Sequence, residues 1–395
     1  MKKIDYNISK WIMNSLVAII LFVQACTNLE NNPFTTANSF YKAGKKHFDK
    51  KEYPEAFKLY QKAAQKGQPD AMNEIGWMYE KGEGLTIDYN TAMAWYLKAA
   101  DAGNSSAMSN IGWMYDKGEG VKEDNVKAVE WYKKAVDAGN IDAIYNIGWM
   151  YEKGEGVNKD FQRAMEFYQK AALEGSAESM NSLGWMYENG EGVRVDYEKS
   201  MEWYNKSAQL GIADAISNIG WMYEKGEGVK IDYKKAMEYY KRADKVGSAH
   251  ATNNIGIMYH KGEYVNRNDK IAVEWYRKAA EAGYDGAIYN MGYMYEHGNG
   301  VELDYLIAIK CYQKAAALGN RNAMNNLGWM YQKGEGVRID YRKAIDWYKM
   351  AADAGSITGM NNLAFLYEEG EGVVKNIKKA AEWHKKASQA PIIPD

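Results

Sequence analysis

The chain has 395 residues, and its 50 Lys+Arg are matched by 52 Asp+Glu, so it carries a formal charge of −2 and lacks the basic stripe a nucleic-acid binder needs to neutralise phosphates. With Tyr 32, Trp 13 and Met 21 it is too aromatic to be a disordered chain. Its two cysteines, Cys26 and Cys311, exclude a disulfide framework.

Residues 1–25 read as a signal peptide. Lys2, Lys3 and Lys10 form a basic start, and the run from Trp11 to Val23 is apolar except for Asn14 and Ser15, too short for a membrane span. It ends Val23-Gln24-Ala25-Cys26 and resembles the lipobox of bacterial lipoproteins, although Gln24 is not a usual lipobox residue. That resemblance implies a lipid on Cys26, residues 26–35 as lipidated N-terminus and tether, and an extracytoplasmic protein anchored in the bacterial envelope, at the outer membrane. The alternatives are an uncleaved anchor or an ordinary secretory signal with a chance cysteine.

Residues 36–66 are expected to form a tetratricopeptide-like capping pair of helices. There Gly44 to Ala56 spans 12 positions where Gly76 to Ala92 spans 16, and Pro54 starts the second helix.

From Gly76 onward the block GWMYEKGEGV, or a close variant, returns every 36 positions, at Gly112, Gly148, Gly184, Gly220, Gly256, Gly292 and Gly328, with Ala364 in the ninth place. Such a period means stacked supersecondary units sharing a continuous core. In the unit from Gly103 to Ala138, a first helix is predicted over residues 106–117, stopping at Gly118 and Gly120. Asp124 is the expected N-cap of the second helix. Asp88, Asp160, Asp196, Asp232, Asp304 and Asp340 hold the same place, with Asn268 and Asn376 in the other two. Gly139 closes that helix, and a glycine recurs there from Gly67 to Gly355. The Lys-Gly-Glu-Gly loops lack the strand-to-helix setting of a nucleotide fingerprint and are read as turns. The tail, residues 391–395, stops helix formation with Pro391 and Pro394.

The pattern Ala-x-x-x-Ile-Gly-x-x-Tyr-x-x-Gly-x-Gly-Val-x-x-Asp, then Lys-Ala-x-x-Trp-Tyr-x-Lys-Ala, runs from Ala107 to Ala135 and is similar to the Sel-one-like repeat, a relative of the tetratricopeptide repeat. The resemblance covers nine units over residues 67–390. It implies an all-α fold, a right-handed α-solenoid (superhelix) of stacked antiparallel helix pairs, in which the first helix of each pair lines a concave groove.

A helical wheel at about 100° per residue puts Ala107, Ile111, Met114 and Tyr115 on a core arc of the first helix, and Ser106, Ser109, Trp113 and Asp116 opposite it. Trp77, Trp149, Trp185, Trp221 and Trp329 share the place of Trp113, with Ile257, Tyr293 and Phe365 in the remaining units. Beside them run Asn73, Tyr145, Asn181, Asn253, Tyr289 and Asn325. An acidic line that includes Glu152, Glu188 and Glu224 lies next to those. A second tryptophan set, at Trp95, Trp131, Trp203, Trp275, Trp347 and Trp383, borders alanines and is read as packing between helices.

The first set is the candidate partner-binding groove, since contiguous exposed aromatic surface commonly marks an interaction site. An extended protein or peptide segment held by the asparagines, with basic side chains stacked on indole and paired with the acidic line, is the leading expectation. Glycan or peptidoglycan binding by the tryptophans is the alternative, and a β-lactamase-like hydrolase a third. Some relatives of the repeat family are of that third kind, but this chain, with only Cys26 and Cys311, lacks their cysteine pattern. His250 and His260 stand about 15 Å apart along one helix, too far to share a metal. No catalytic residue, metal or cofactor is expected.

Overall fold

A computed structural model describes residues 36–390; the expectations for the signal peptide, the tether, Cys26 and the C-terminal tail lie outside them. Among the described residues there are 20 α-helices and no strand. They follow one another as pairs, from α1 (Ala37–Asp49) with α2 (Tyr53–Gln65), through α3 (Pro69–Lys81) with α4 (Tyr89–Asp101), to α19 (Ile357–Glu369) with α20 (Ile377–Gln389). Odd numbers are therefore first helices and even numbers second helices. Two compact units are formed, one by the described residues up to Met186 with Gly190–Arg194, the other by Tyr187–Asn189 with Val195 onward. On either side of α9 (Ala177–Asn189), each second helix packs against its own first helix and against the first helix of the next pair.

The helix boundaries come from local chemistry. α5 (Ser105–Lys117) ends at Gly118, whose φ of 68° is the left-handed conformation that lets its N–H reach back to the Met114 carbonyl. Asp124 begins α6 (Asn125–Asp137), its side chain accepting from the Lys127 amide at 3.1 Å. All the predicted N-cap positions of second helices behave this way, including Asn268 and Asn376.

The core of a pair is built around one tyrosine of the second helix. Tyr96, Tyr168, Tyr204, Tyr240, Tyr312 and Tyr348 are fully buried. The repeating glycine of the first helix makes room for that ring. A Cβ on Gly148 would meet the Tyr168 ring carbons at 2.8 Å, and one on Gly112 would meet Tyr132 at 2.7 Å. The departure at Ala364 has the matching cause. The tyrosine position of that last pair holds His384, whose smaller ring leaves space for a methyl group.

One expectation needs correction. The wheel set Ser109 and Asp116 opposite the core, yet they are only 9% and 7% exposed. A wheel sorts residues against one packing partner, whereas a first helix here is covered on more than one side by neighbouring helices.

Candidate functional site

The candidate tryptophans emerge from the first helices as half-covered side chains. In the unit that begins at α1, Trp113 is 41% exposed and Trp77, Trp149 and Trp185 are half-buried. In the other unit Trp329 is 42% exposed and Phe365 45%, while Trp221, Ile257 and Tyr293 are half-buried. Helix periodicity brings these side chains onto one face of each first helix, and stacking at a fixed register aligns the faces within each unit.

The asparagines beside them form rungs between successive pairs. Asn110 Nδ2 donates to Asn73 Oδ1 at 3.0 Å, Asn290 to Asn253 at 2.8 Å, and Asn362 to Asn325 at 2.8 Å. Asn253 is buried, and Asn73, Asn181 and Asn325 are half-buried. Tyr145 and Tyr289 fill the same place by packing their rings on the core tyrosines Tyr168 and Tyr312, with centroids 5.6 Å apart in both cases.

The acidic line was not legible as what it is. Glu152 and Glu224 are 8% and 6% exposed, and each accepts a hydrogen bond from the core tyrosine of its own pair. Tyr96 donates to Glu80 at 2.7 Å, Tyr168 to Glu152 at 2.7 Å, Tyr204 to Glu188 at 2.5 Å and Tyr240 to Glu224 at 2.9 Å. Tyr312 donates to Glu296, and Tyr348 to the Gln332 side-chain oxygen at 2.8 Å. Burial first, and the adjoining carboxylate second, push the Tyr96, Tyr168 and Tyr240 hydroxyls well above the ordinary tyrosine range, so they remain donors. The signal that could have found this bond is the constant separation of 16 residues between acid and tyrosine.

A lysine follows most of these carboxylates and joins the two rows. Lys117 lies 2.8 Å from Asp116 and holds its ammonium 5.0 Å from the Trp113 ring centre and 5.1 Å from that of Trp149. Lys225 pairs with Glu224 at 3.0 Å and sits 4.2 Å over Trp221, and Lys333 sits 4.6 Å over Trp329. The role expected for basic side chains of a bound peptide is thus already filled from within the chain. The surface is one of half-covered indoles, partly exposed ammonium groups and asparagine rungs, with the carboxylates beneath. The second tryptophan set has a similar device, Lys134 lying 3.9 Å over Trp131 and Lys206 3.9 Å over Trp203.

Among the described residues, one cleft in each unit opens along this face. The first, of about 260 Å³, lies between Trp113 and Trp149 over Tyr132 and Asp116. Asp116 is one methylene shorter than the glutamate of the neighbouring pairs, and its Oδ1 is buried without a hydrogen-bond partner. The second, of about 380 Å³, is lined by Trp221, Lys225, His260, Lys261, Tyr276 and Asn290. It falls where the first helix carries Ile257 and His260 in place of tryptophan and glutamate. His250, on the same helix, is largely buried, and burial holds its pKa below the ordinary value, so it is a neutral side chain 3.3 Å from Ser217 Oγ. No group of three or more His, Cys, Asp and Glu side chains suited to a metal occurs among the described residues.

Comparison with known proteins agrees with the repeat pattern. The Sel1 repeat family matches residues 40–68, 69–104, 105–140, 141–176, 177–212, 213–243, 249–284, 286–320, 321–356 and 357–391. The crystal structure of a protective antigen present in uropathogenic Escherichia coli strains, displaying an SLR fold, is 33% identical over 91% of this chain and 78% of its own, with a TM-score of 0.56. A Sel1 repeat protein from Oxalobacter formigenes is 32% identical over 64% of this chain and 99% of its own, with a TM-score of 0.52. No curated protein sequence matches the chain. Paired helices without strands and these neighbours make the fold an all-α repeat solenoid.

Proposed function

The chain belongs to the Sel1 repeat family, and from that membership we propose that it is a non-enzymatic scaffold whose first-helix face recognises a protein or peptide partner. Repeats of this family generally serve protein–protein interaction. The observation that carries the reading is the row of half-covered tryptophans bridged by partly exposed lysines. Tryptophan is among the residues in which interface hot spots are enriched. The ammonium groups over the indoles favour a partner with acidic or polar groups beside its apolar ones. They also cover ring surface that a stacked sugar would need, which sets peptide recognition ahead of glycan binding.

We place the protein outside the cytoplasm, held to the envelope through Cys26. The lipobox-like sequence supports this reading, and the E. coli relative's description as a protective antigen is in keeping with it. Metabolic labelling with an alkyne fatty acid should mark the native chain and leave Cys26→Ala unmarked, and globomycin should leave a larger, unprocessed precursor; an unlabelled native chain would count against the anchor.

Cross-linked affinity capture from the native envelope tests the scaffold reading. A partner retained by the native chain and lost by a folded Trp113→Ala/Trp149→Ala variant is the expected result. Equal capture by both would place recognition on another surface.

A further inference from the structure

One pair is built without the carboxylate that its neighbours share. α13 (Ala249–Lys261) and α14 (Asp269–Glu281) carry the core tyrosine Tyr276, which is 2% exposed. In the pairs before and after it the equivalent hydroxyls, of Tyr240 and Tyr312, donate to Glu224 and Glu296. Here the acid is replaced by His260, whose Nδ1 is held 2.7 Å from Asp269 Oδ1 at the start of α14. Asp269 is in turn bound by Arg267 at 2.8 Å. Tyr276 has no acceptor among the described residues.

A second carboxylate is missing at the same junction. The loop glutamate of a following pair lies close enough to act on the preceding tyrosine, Glu119 on Tyr96 and Glu263 on Tyr240. The residue in register with Glu263 one repeat later is Asn299. Neither of these two acids stands beside Tyr276, and there the larger of the two clefts opens, with Tyr276 in its lining beside Glu224, whose carboxylate is already held by Tyr240 and Lys225. Burial first, and the Asp269 carboxylate second, hold the Tyr276 hydroxyl above its ordinary pKa, so it stays protonated and has a proton to donate. A cation is at hand. Lys261 lines the cleft, and its nearest carboxylate, on Glu263, is 3.9 Å away. Asn290, also in the lining, adds an amide.

We propose that this cleft binds a carboxylate supplied by a partner polypeptide, which takes the place of the glutamate that the neighbouring pairs carry at the position of His260. Tyr276 donates to one carboxylate oxygen and Lys261 pairs with the charge, while Trp221 and Tyr293 flank the chain that bears it. An oxygen acceptor for a buried hydroxyl, with a cation beside it, forms a charge-assisted pair in a partly desolvated site. The inference rests on the first-helix face being the binding surface, and it names the chemistry of one contact there.

The test uses three N-acetylated alanine tetrapeptides and the full chain labelled with ¹³C at the tyrosine Cζ. One peptide ends in a free carboxylate, the second is amidated and carries a single glutamate, and the third is amidated and uncharged. Tyr276→Phe assigns the resonance. The expected result is a saturable shift of the Tyr276 signal with one or both acidic peptides, at least tenfold weaker with the uncharged one. The relative strength of the first two tells a chain terminus from an acidic side chain. His260→Glu restores the pattern of the neighbouring pairs and so should fold, and it should abolish the shift. An equal response to the uncharged peptide, no response to any peptide, or an unchanged titration in His260→Glu would each overturn the proposal. Partner capture that needs Trp113 and Trp149 but is indifferent to His260→Glu would leave the scaffold reading standing while this one fails.

Discussion

Gly148→Ala tests the central packing device. Helix propensity alone says that alanine stabilises this position by about 1 kcal/mol. The structure says the opposite. The new Cβ would lie 2.8 Å from Tyr168 Cδ1 and Cε1 and 3.3 Å from the Phe167 Cβ. Carbon atoms prefer about 3.5–4.0 Å. The ring cannot swing away, because it is fully buried and its hydroxyl is bound to Glu152 at 2.7 Å. Overpacking of this kind costs about 1–3 kcal/mol. Taking the upper end for a pinned ring and subtracting the propensity gain leaves a net loss of about 2 kcal/mol. The last pair supplies the comparison, with Ala364 facing His384, which makes its own contact to Glu368 at 3.2 Å. Adding Tyr168→His to Gly148→Ala should therefore do less harm than the separate effects predict, by at least about 1 kcal/mol of coupling. A repeat array need not unfold in one step, so the measurement is hydrogen exchange of the amides of α7 (Ile141–Lys153), alongside urea midpoints followed by circular dichroism. A neutral or stabilised Gly148→Ala variant, or strict additivity in the double variant, would refute the reasoning.

Three further outcomes follow from the tyrosine row. Tyr240→Phe takes the donor from the buried Glu224 Oε2 and leaves that carboxylate only its Lys225 contact, and should cost about 1.5–3 kcal/mol, whereas Tyr276→Phe removes a hydroxyl that has no internal acceptor and should change stability by less than about 0.5 kcal/mol; similar losses on urea titration would contradict the contrast. Asp116→Glu supplies the missing methylene, lets Tyr132 find its acceptor and should stabilise by about 1 kcal/mol, a gain that Tyr132→Phe should erase. Burial pushes Glu188 up to about 7, with the Glu227 carboxyl adding to the rise against the lowering bond from Tyr204; the lysine found next to the acid in neighbouring pairs is Asn189 here. A raised carboxyl pKa stabilises the fold fully below the ordinary value of 4.5, and that contribution is lost as the pH rises through about 7. Unfolding midpoints measured from pH 4.5 to 8 should fall across that window in the native chain and flatten in Glu188→Gln.

Much of this was legible in the sequence because it is local. The Asp124 cap, the Gly118 stop and the two helices of each unit depend on residues within a few positions of one another. The tryptophan positions could also be read, since periodicity alone puts Trp113 away from Ala107 and Ile111. What escaped was the set of contacts between helices. Nothing within the first helix reveals that Glu152 points at a tyrosine of the second, or that Asn110 reaches Asn73 in the preceding pair. The spacing of 16 residues held the first fact and that of 37 the second, but a spacing acquires meaning only when the two helices are docked. The expectation of a free acidic ladder failed to anticipate Lys117 and Lys225 for the same reason, since a lysine next to an acid reads as a solvated charge until its reach to indole is seen.

The tyrosine–glutamate bond starts and ends inside one helix pair. A duplicated stretch of DNA encoding one period would therefore deliver a cassette whose deepest polar atoms are already matched, whatever it is inserted beside. Array length can then change by whole cassettes during descent without exposing a bare buried charge. Rungs such as Asn110 to Asn73, which need a compatible neighbour, are where each new copy must adapt. Individuality should consequently accumulate at the seams between copies, as at Asn299, whereas His260 shows that at Tyr276 it has also reached inside the cassette.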